Sequence, residues 1–253
     1  MRISLLNLIS TPVPVLNTLG LDLRVGLSSE DPMVGRHPSE PYEAYLTIYS
    51  PEGLFLDRMY LGEIPANRRR FFDVSAITSE VVPDLDHLSV VHRIPSRLLS
   101  RVSSVEDQLE MPVEPDYSMF RSLLEYSFPG GGNGSVIYET PPRLNMGTSA
   151  HKSSNTLTFT CQTVLSELVN TYVVLIHYSV NPAYTDIASY NFGLYSLSGE
   201  LVVSDHVTIG PFATKILDMA RVIPERAVSS ARDPQDGLST FTFVGYSDDA
   251  AIL

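Results

Sequence analysis

Three consecutive arginines, Arg68, Arg69 and Arg70, form the single basic cluster in a chain that carries 29 acidic residues against 17 Lys and Arg. On an extended strand Arg68 and Arg70 share one face while Arg69 points to the other. Two guanidiniums on one face can clamp a phosphate, a sulfate or a carboxylate. The alternative is structural: the arginines pair with the chain's own acids or guard a sheet edge. A second polar group, Asp86-His87 followed by His92-Arg93, surrounds a strand. The anion-binding candidates are therefore Arg68, Arg70, His92 and Arg93.

Other chemistry finds less support. His87 and His92 stand at odd spacing, so on one strand they face opposite sides. The six histidines show no HxH or HxxxH pattern, and a metal site wants three or four converging ligands, so no metal is expected. His37, His151 and His206 fall in or near loops, and His177 in an apolar strand reads as a hydrogen-bonded core residue. No GxSxG elbow occurs. The glycine run at 130–134 lacks the Lys-Ser/Thr of a phosphate loop and precedes a strand rather than a helix, so it reads as a hairpin turn and no cofactor is expected. Glu106-Asp107 and Asp248-Asp249 read as solvated loop charges. A glycosidase carboxylate pair leaves no spacing signature, so a hydrolase acting on a carbohydrate or a phosphorylated small molecule stays as an alternative.

Aromatic residues are the last candidates. The 13 tyrosines outnumber the 10 phenylalanines, and Trp is absent. Tyr45 and Tyr49 share a strand face by alternation, and Tyr195 occupies a similar place later in the chain. Tyrosines on a sheet face stack on sugars or fill protein interfaces. They also serve as amphipathic edges of a core.

These residues need strands to position them. Hydrophobic content is 43% and charged content 18%, which supplies a core and excludes a disordered chain. Val, Ile, Thr and Tyr are frequent, and 18 Pro and 15 Gly punctuate the sequence, favouring short strands. Strands are expected at Ala44–Tyr49, Leu54–Leu61 and Arg68–Val74, joined by the Ser50-Pro51-Glu52-Gly53 turn, and at Leu88–Ile94. Thr156–Val164 has a two-residue period. Tyr172–Val180 is a near-continuous apolar run that reads as a central strand, and Ser239–Tyr246 closes the chain. Cys161, the only cysteine, reads as a small strand residue and excludes an intrachain disulfide.

A repeat underlies this order. Ile48-Tyr49-Ser50 matches Leu194-Tyr195-Ser196, Gly53 matches Gly199, and Pro65 matches Pro211, all at one offset. Asp73 then matches Asp218, and Asp86-x-Leu88-Ser89 matches Asp236-x-Leu238-Ser239. These are turn, cap and core positions. The expected architecture is all-β and mostly antiparallel, with two related sandwich-like halves at 1–105 and 119–253 and an acidic linker at 106–118.

The segments LTIYSPEG, IPANRRRFFDV and SVVHRI resemble the sensory rhodopsin transducer family of small β-sandwich proteins. That resemblance covers about a third of each half and implies a sandwich built for oligomerisation and partner binding. None of its motifs is catalytic.

The net charge of −12 disfavours nucleic acid and anionic membranes. No apolar run is long enough to span a bilayer, and no signal peptide is read in the interrupted N-terminal run, so a cytoplasmic protein is expected. The leading expectation is a non-catalytic binding or assembly protein whose partner is a protein or a glycan. A homo-oligomer, or a structural subunit of a larger assembly, is the remaining alternative.

Overall fold

Hydrogen-bonded strands dominate the chain, as the two-residue alternation of its apolar positions requires. The computed structural model describes residues 2–29, 40–110, 122–128, 131, 133–138, 152–179 and 181–249. His37, His151 and most of the 106–118 and 145–155 loops lie outside the described residues. The chain divides into two units, Met1–Gly147 with Ser179–Ala183, and Thr148–Tyr178 with Tyr184–Leu253.

The first unit contains β1 (Arg2–Ser4), β2 (Ser10–Val15), β3 (Asp22–Ser28), β4 (Tyr42–Tyr49), β5 (Phe55–Ile64), β6 (Arg69–Asp73), β7 (His87–Pro95), β8 (Gln108–Glu110), β9 (Ser122–Ser127) and β10 (Asn133–Tyr138). One four-stranded sheet has the order β2-β7-β4-β5 and the other β10-β9-β3-β6, with β1-β8 a small ribbon. All pairings are antiparallel. Strands β9 and β10, which the sequence reading sets beyond the linker, extend the sheet of β3. Leu23, Val25 and Leu27 of one sheet and Ala44, Leu46 and Ile48 of the other are buried in a single apolar core.

The second unit contains β11 (Lys152–Leu165), β12 (Tyr172–Ile176), β13 (Ala188–Tyr195), β14 (Leu201–Ile209), β15 (Thr214–Asp218) and β16 (Ser239–Asp249). Its sheets have the orders β11-β16-β13-β14 and β12-β15. Val173, Leu175, Tyr190, Phe192, Leu194, Phe241 and Phe243 fill its core. Strand β12 is thus not central: it belongs to a two-stranded sheet among the described residues. Its apolar run reflects Val173, Leu175 and Ile176 pressed into the core, while Tyr172 is exposed.

Local chemistry explains the hairpins. In the β4–β5 turn Gly53 takes φ 88°, and in the β13–β14 turn Gly199 takes φ 84°, a region that suits glycine. Gly53 N–H donates to Ser50 O and Gly199 N–H to Ser196 O, each at 2.9 Å. Both hairpins then shift register by one residue, between Ile48 and Tyr49 and between Leu194 and Tyr195. Strand β6 ends where the Asp73 carboxylate accepts from Ala76 N–H, starting the helix Val74–Thr78. Strand β15 ends the same way, with Asp218 accepting from Ala220 N–H. These caps satisfy backbone donors that a helix start leaves open.

Candidate functional site

The four anion-binding candidates occupy three different environments. Arg69 and Arg70 lie on β6, an outer strand of its sheet, with Arg68 just before it, and all three are exposed. Arg70 is already engaged: its Nη1 donates to Glu63 O at 2.6 Å, and its guanidinium lies 5.1 Å from the Phe72 ring centroid. Gly62, at φ 117°, makes room for it, since a Cβ there would meet Arg70 Nη1 at 2.8 Å. The Arg68 backbone is tied to Ser29, whose N–H and hydroxyl both donate to Arg68 O. Placement of Arg69 and Arg70 on an edge strand fits the guarding role that charged side chains play there.

His92 and Arg93 are interior residues of β7, and alternation sends them to opposite faces. Arg93 points between the sheets, and its Nη1 donates across to Ser28 O at 3.0 Å. Burial lowers its pKa to about 10, with Tyr42 nearby acting the other way. His92 is fully buried on the other face, and burial pushes its pKa down to about 3, so the ring is neutral. Its Nδ1–H donates to Leu6 O at 2.6 Å, which leaves Nε2 to accept from the Thr47 hydroxyl at 2.8 Å. Arg58 Nε donates in turn to Thr47 Oγ1 at 3.1 Å, and Arg58 reaches Glu106 at the surface. The Ser10 hydroxyl next to His92 donates to Leu6 O at 2.7 Å. Every polar atom in this line is used in holding β2, β4, β5 and β7 together. Ser10 with His92 is therefore a structural pair, sealed from solvent, rather than a nucleophile and its base. His87 faces the core on the opposite side from His92, with its Nδ1 3.0 Å from Leu85 O.

The second unit holds a buried polar group that the sequence reading passed over. Asp249 lies at the end of β16 with a fully buried side chain, so it is not a solvated loop charge. The Tyr184 hydroxyl donates to its Oδ2, and His177 Nε2 lies 3.5 Å from the same oxygen. His177 Nδ1 lies 3.1 Å from Ile209 O and 3.0 Å from Gly210 O, the bonded core histidine that the apolar strand suggested. Burial first, then the bond to Asp249, pushes the Tyr184 phenol far above its ordinary range. Asp248, its sequence neighbour, accepts from Ser189 N–H at 2.8 Å. The alternation of β16, which continues through Asp249, was the signal that could have found this.

The aromatic candidates make an outward face. Glu43, Tyr45 and Tyr49 are partly exposed on the face of β4 opposite the buried Tyr42, Ala44, Leu46 and Ile48, and Thr47 on that same face is buried against His92. Tyr45 pairs with Tyr60 across the hairpin, with ring centroids 5.2 Å apart at 51°. Tyr49 meets Phe55 edge-on at 6.4 Å, and Arg58 lies over the Phe55 ring. Phe55 and Tyr60 are 55% and 56% exposed, and Leu54 and Leu56 are exposed beside them. The Tyr60 hydroxyl donates to Glu43, which also accepts from Ser96 Oγ at 3.0 Å. That bond to Glu43, before any other influence, raises the Tyr60 pKa to about 12. Tyr49 also rises to about 12, through burial, with Arg58 opposing. Tyr195 lies in the other unit, its ring over Gly193, where a Cβ would approach it to 3.0 Å.

Among the described residues no group of three or more His, Cys, Asp or Glu is placed to hold a metal ion, and no helix is long and apolar enough to cross a membrane. No protein-family model matches the chain, and no curated protein matches it in sequence.

Proposed function

We propose that this chain is a non-catalytic binding and assembly protein whose two units are diverged copies of one β-sandwich design, with the outward face of β4–β5 as its contact surface. One observation carries the reading. Leu54, Phe55, Leu56 and Tyr60 are all exposed along a single hairpin that Tyr45 and Tyr49 continue. Isolated apolar side chains on a surface need no explanation, but a contiguous aromatic group rimmed by charge marks an interaction site. The edge of β5 itself is a poor template for strand addition. It carries two register shifts, at Ala44/Tyr45 and Ile48/Tyr49 of its partner, together with Asp57, Arg58 and Glu63. Bulges and charges of this kind block edge pairing, so contact is made through side chains on the sheet face. The buried His92 and His177 fit the same reading, since their ring nitrogens face carbonyls, the Thr47 hydroxyl and Asp249 inside the protein.

The test is site-specific photo-cross-linking in the native host. A photoreactive residue at Leu56 is expected to give discrete adducts, and one at Ser204 on the matching strand of the second unit none. Equal adducts from both positions, or none from Leu56, would remove the reading.

A further inference from the structure

The β4–β5 face carries an unbalanced charge. Strand register sets Glu43 directly opposite Glu63, with the Ala44–Gly62 pair between them and Tyr45 opposite Tyr60. Direct partners project to the same side of a sheet, so the two carboxylates and the two rings share one surface. Like charges placed opposite each other destabilise a sheet, and the fold does not relieve them. Glu43 accepts from the neutral hydroxyls of Tyr60 and Ser96, and among the described residues no Lys or Arg forms an ion pair with Glu43 or Glu63. Arg58, the arginine that projects onto this surface, is occupied by Glu106, Thr47 and the Phe55 ring. Arg70 of β6 lies beside Glu63 but is spent on its backbone carbonyl. The negative field is felt locally: Glu43 and Glu63 both act to raise the Tyr60 phenol.

Resting on the reading above, we propose that this face docks a partner protein through a lysine or arginine laid over the exposed Tyr60 ring and against Glu43 and Glu63, with apolar neighbours of that residue on Phe55 and Leu56. The Tyr45 ring packs against Tyr60 with centroids 5.2 Å apart and steadies it, and the exposed face of an aromatic ring attracts a cation by about 0.5–1 kcal/mol. The carboxylates supply the counter-charge. A neutral glycan would stack on the same ring and its hydroxyls would donate to the carboxylates, but it brings no counter-charge to two opposed anions, whose desolvation costs free energy. An acidic partner, or a second copy of a chain with a net charge of −12, would be repelled at long range.

The experiment titrates the full chain with two synthetic peptides that differ only in charge, Ac-ALKVKVLA-amide and Ac-ALEVEVLA-amide, and with a neutral cello-oligosaccharide. Backbone amide NMR locates the response. The lysine peptide is expected to shift resonances in β4 and β5, and its affinity is expected to fall about tenfold between 50 and 500 mM salt. Glu63→Gln and Tyr60→Ala, both at exposed positions, should each weaken it at least about fivefold while leaving the spectrum folded. Equal binding of the glutamate peptide, binding of the oligosaccharide in preference to the lysine peptide, or indifference to both substitutions would overturn the proposal. So would concentration-dependent self-association that Glu63→Gln abolishes, since the occupant would then be a second copy. If adducts form at Leu56 while the lysine peptide fails to bind, the cationic assignment falls and the contact face stands. If no adducts form at Leu56, the parent reading falls.

Discussion

Strands β4 and β5 of the first unit and β13 and β14 of the second carry the same frame and different outward faces. Tyr42, Ala44, Leu46 and Ile48 are buried in β4, and Ala188, Tyr190, Phe192 and Leu194 take the same turns in β13. The Gly turn and the bulge after it coincide. On the outer side the agreement narrows to Tyr49 and Tyr195. Where the first unit pairs Glu43 with Glu63 and Tyr45 with Tyr60, the second pairs Ser189 with Thr208 and Asn191 with His206. Interior positions answer to packing at near-crystalline density, whereas outward positions are free to change and are where the proposed binding role would be written. The difference teaches which residues to assign to folding and which to function.

The strands beside the hairpins differ on that same face as well. In the first unit His92, paired with Tyr45, is covered by the short 3₁₀ turn Leu5–Asn7 and bonded to Leu6 and Thr47. In the second unit Tyr246 pairs with Asn191 and stays 37% exposed. There the unit relies on glycine: Tyr190 is fully buried, and a Cβ on Gly245 would lie 1.7 Å from its hydroxyl. Gly245→Ala therefore has the largest expected effect, about 3 kcal/mol or more, because neither a buried ring nor a central strand can yield. Hydrogen exchange read separately in each unit should show the loss in β13 and β16 and leave β4 and β7 protected. Uniform loss across both units would mean that their stabilities are not separable.

Acid should act on the first unit through His92. Its folded pKa of about 3 lies below the ordinary 6.5, so between those values the unfolded chain binds a proton that the folded chain refuses. Stability is then fully present above about pH 6.5 and is lost as pH falls toward 3, at roughly 1 kcal/mol per pH unit within the window. His87, lowered in the same direction by burial, adds to the trend. His92→Leu should flatten the slope whatever it does to absolute stability. A slope unchanged by the substitution would place the acid sensitivity elsewhere.

Much of the frame was legible in the sequence, because glycine, proline and aspartate have few conformational uses. Gly53, Gly199, Asp73 and Asp218 announce turns and caps by type alone, and alternation announced β4 and β11. The pairing of β9 with β3 was not legible, since a strand's partner depends on a non-local choice that its own period does not encode. Nor was the engagement of Arg70. A guanidinium reads as surface charge, and only the register of β5 reveals that Gly62 and Glu63 lie beneath it. Tyr60 clusters with Tyr45 in the sequence, but its place directly beside Tyr45 was hidden for a related reason: it depends on the bulge between Ala44/Gly62 and Tyr45/Tyr60. The burial of Asp249 was hidden by its neighbour Asp248, since two adjacent acids read as solvent-facing until strand alternation separates them.

The smallest effects test the shared frame most directly. Asp73 and Asp218 cap equivalent helices, and losing an N-cap costs about 1 kcal/mol. The two sites are not equally backed. Ala76 N–H has Asp73 as its acceptor at 2.9 Å. Ala220 N–H is shared, with Asp218 at 3.0 Å and the Asn170 side-chain oxygen at 3.2 Å. Asn170 also donates to Asp218, and Arg221 pairs with it at 3.3 Å in an exposed ion pair worth little. Asp73→Ala should thus cost about 1 kcal/mol in the first unit, and Asp218→Ala measurably less in the second, because Asn170 still holds the freed donor. In an Asn170→Ala background Asp218→Ala should recover the full cost. Chemical denaturation followed by hydrogen exchange in each unit resolves these differences. Should Asp218→Ala cost the same with and without Asn170, the two caps would be alike after all, and the second unit's extra acceptor would have no energetic role.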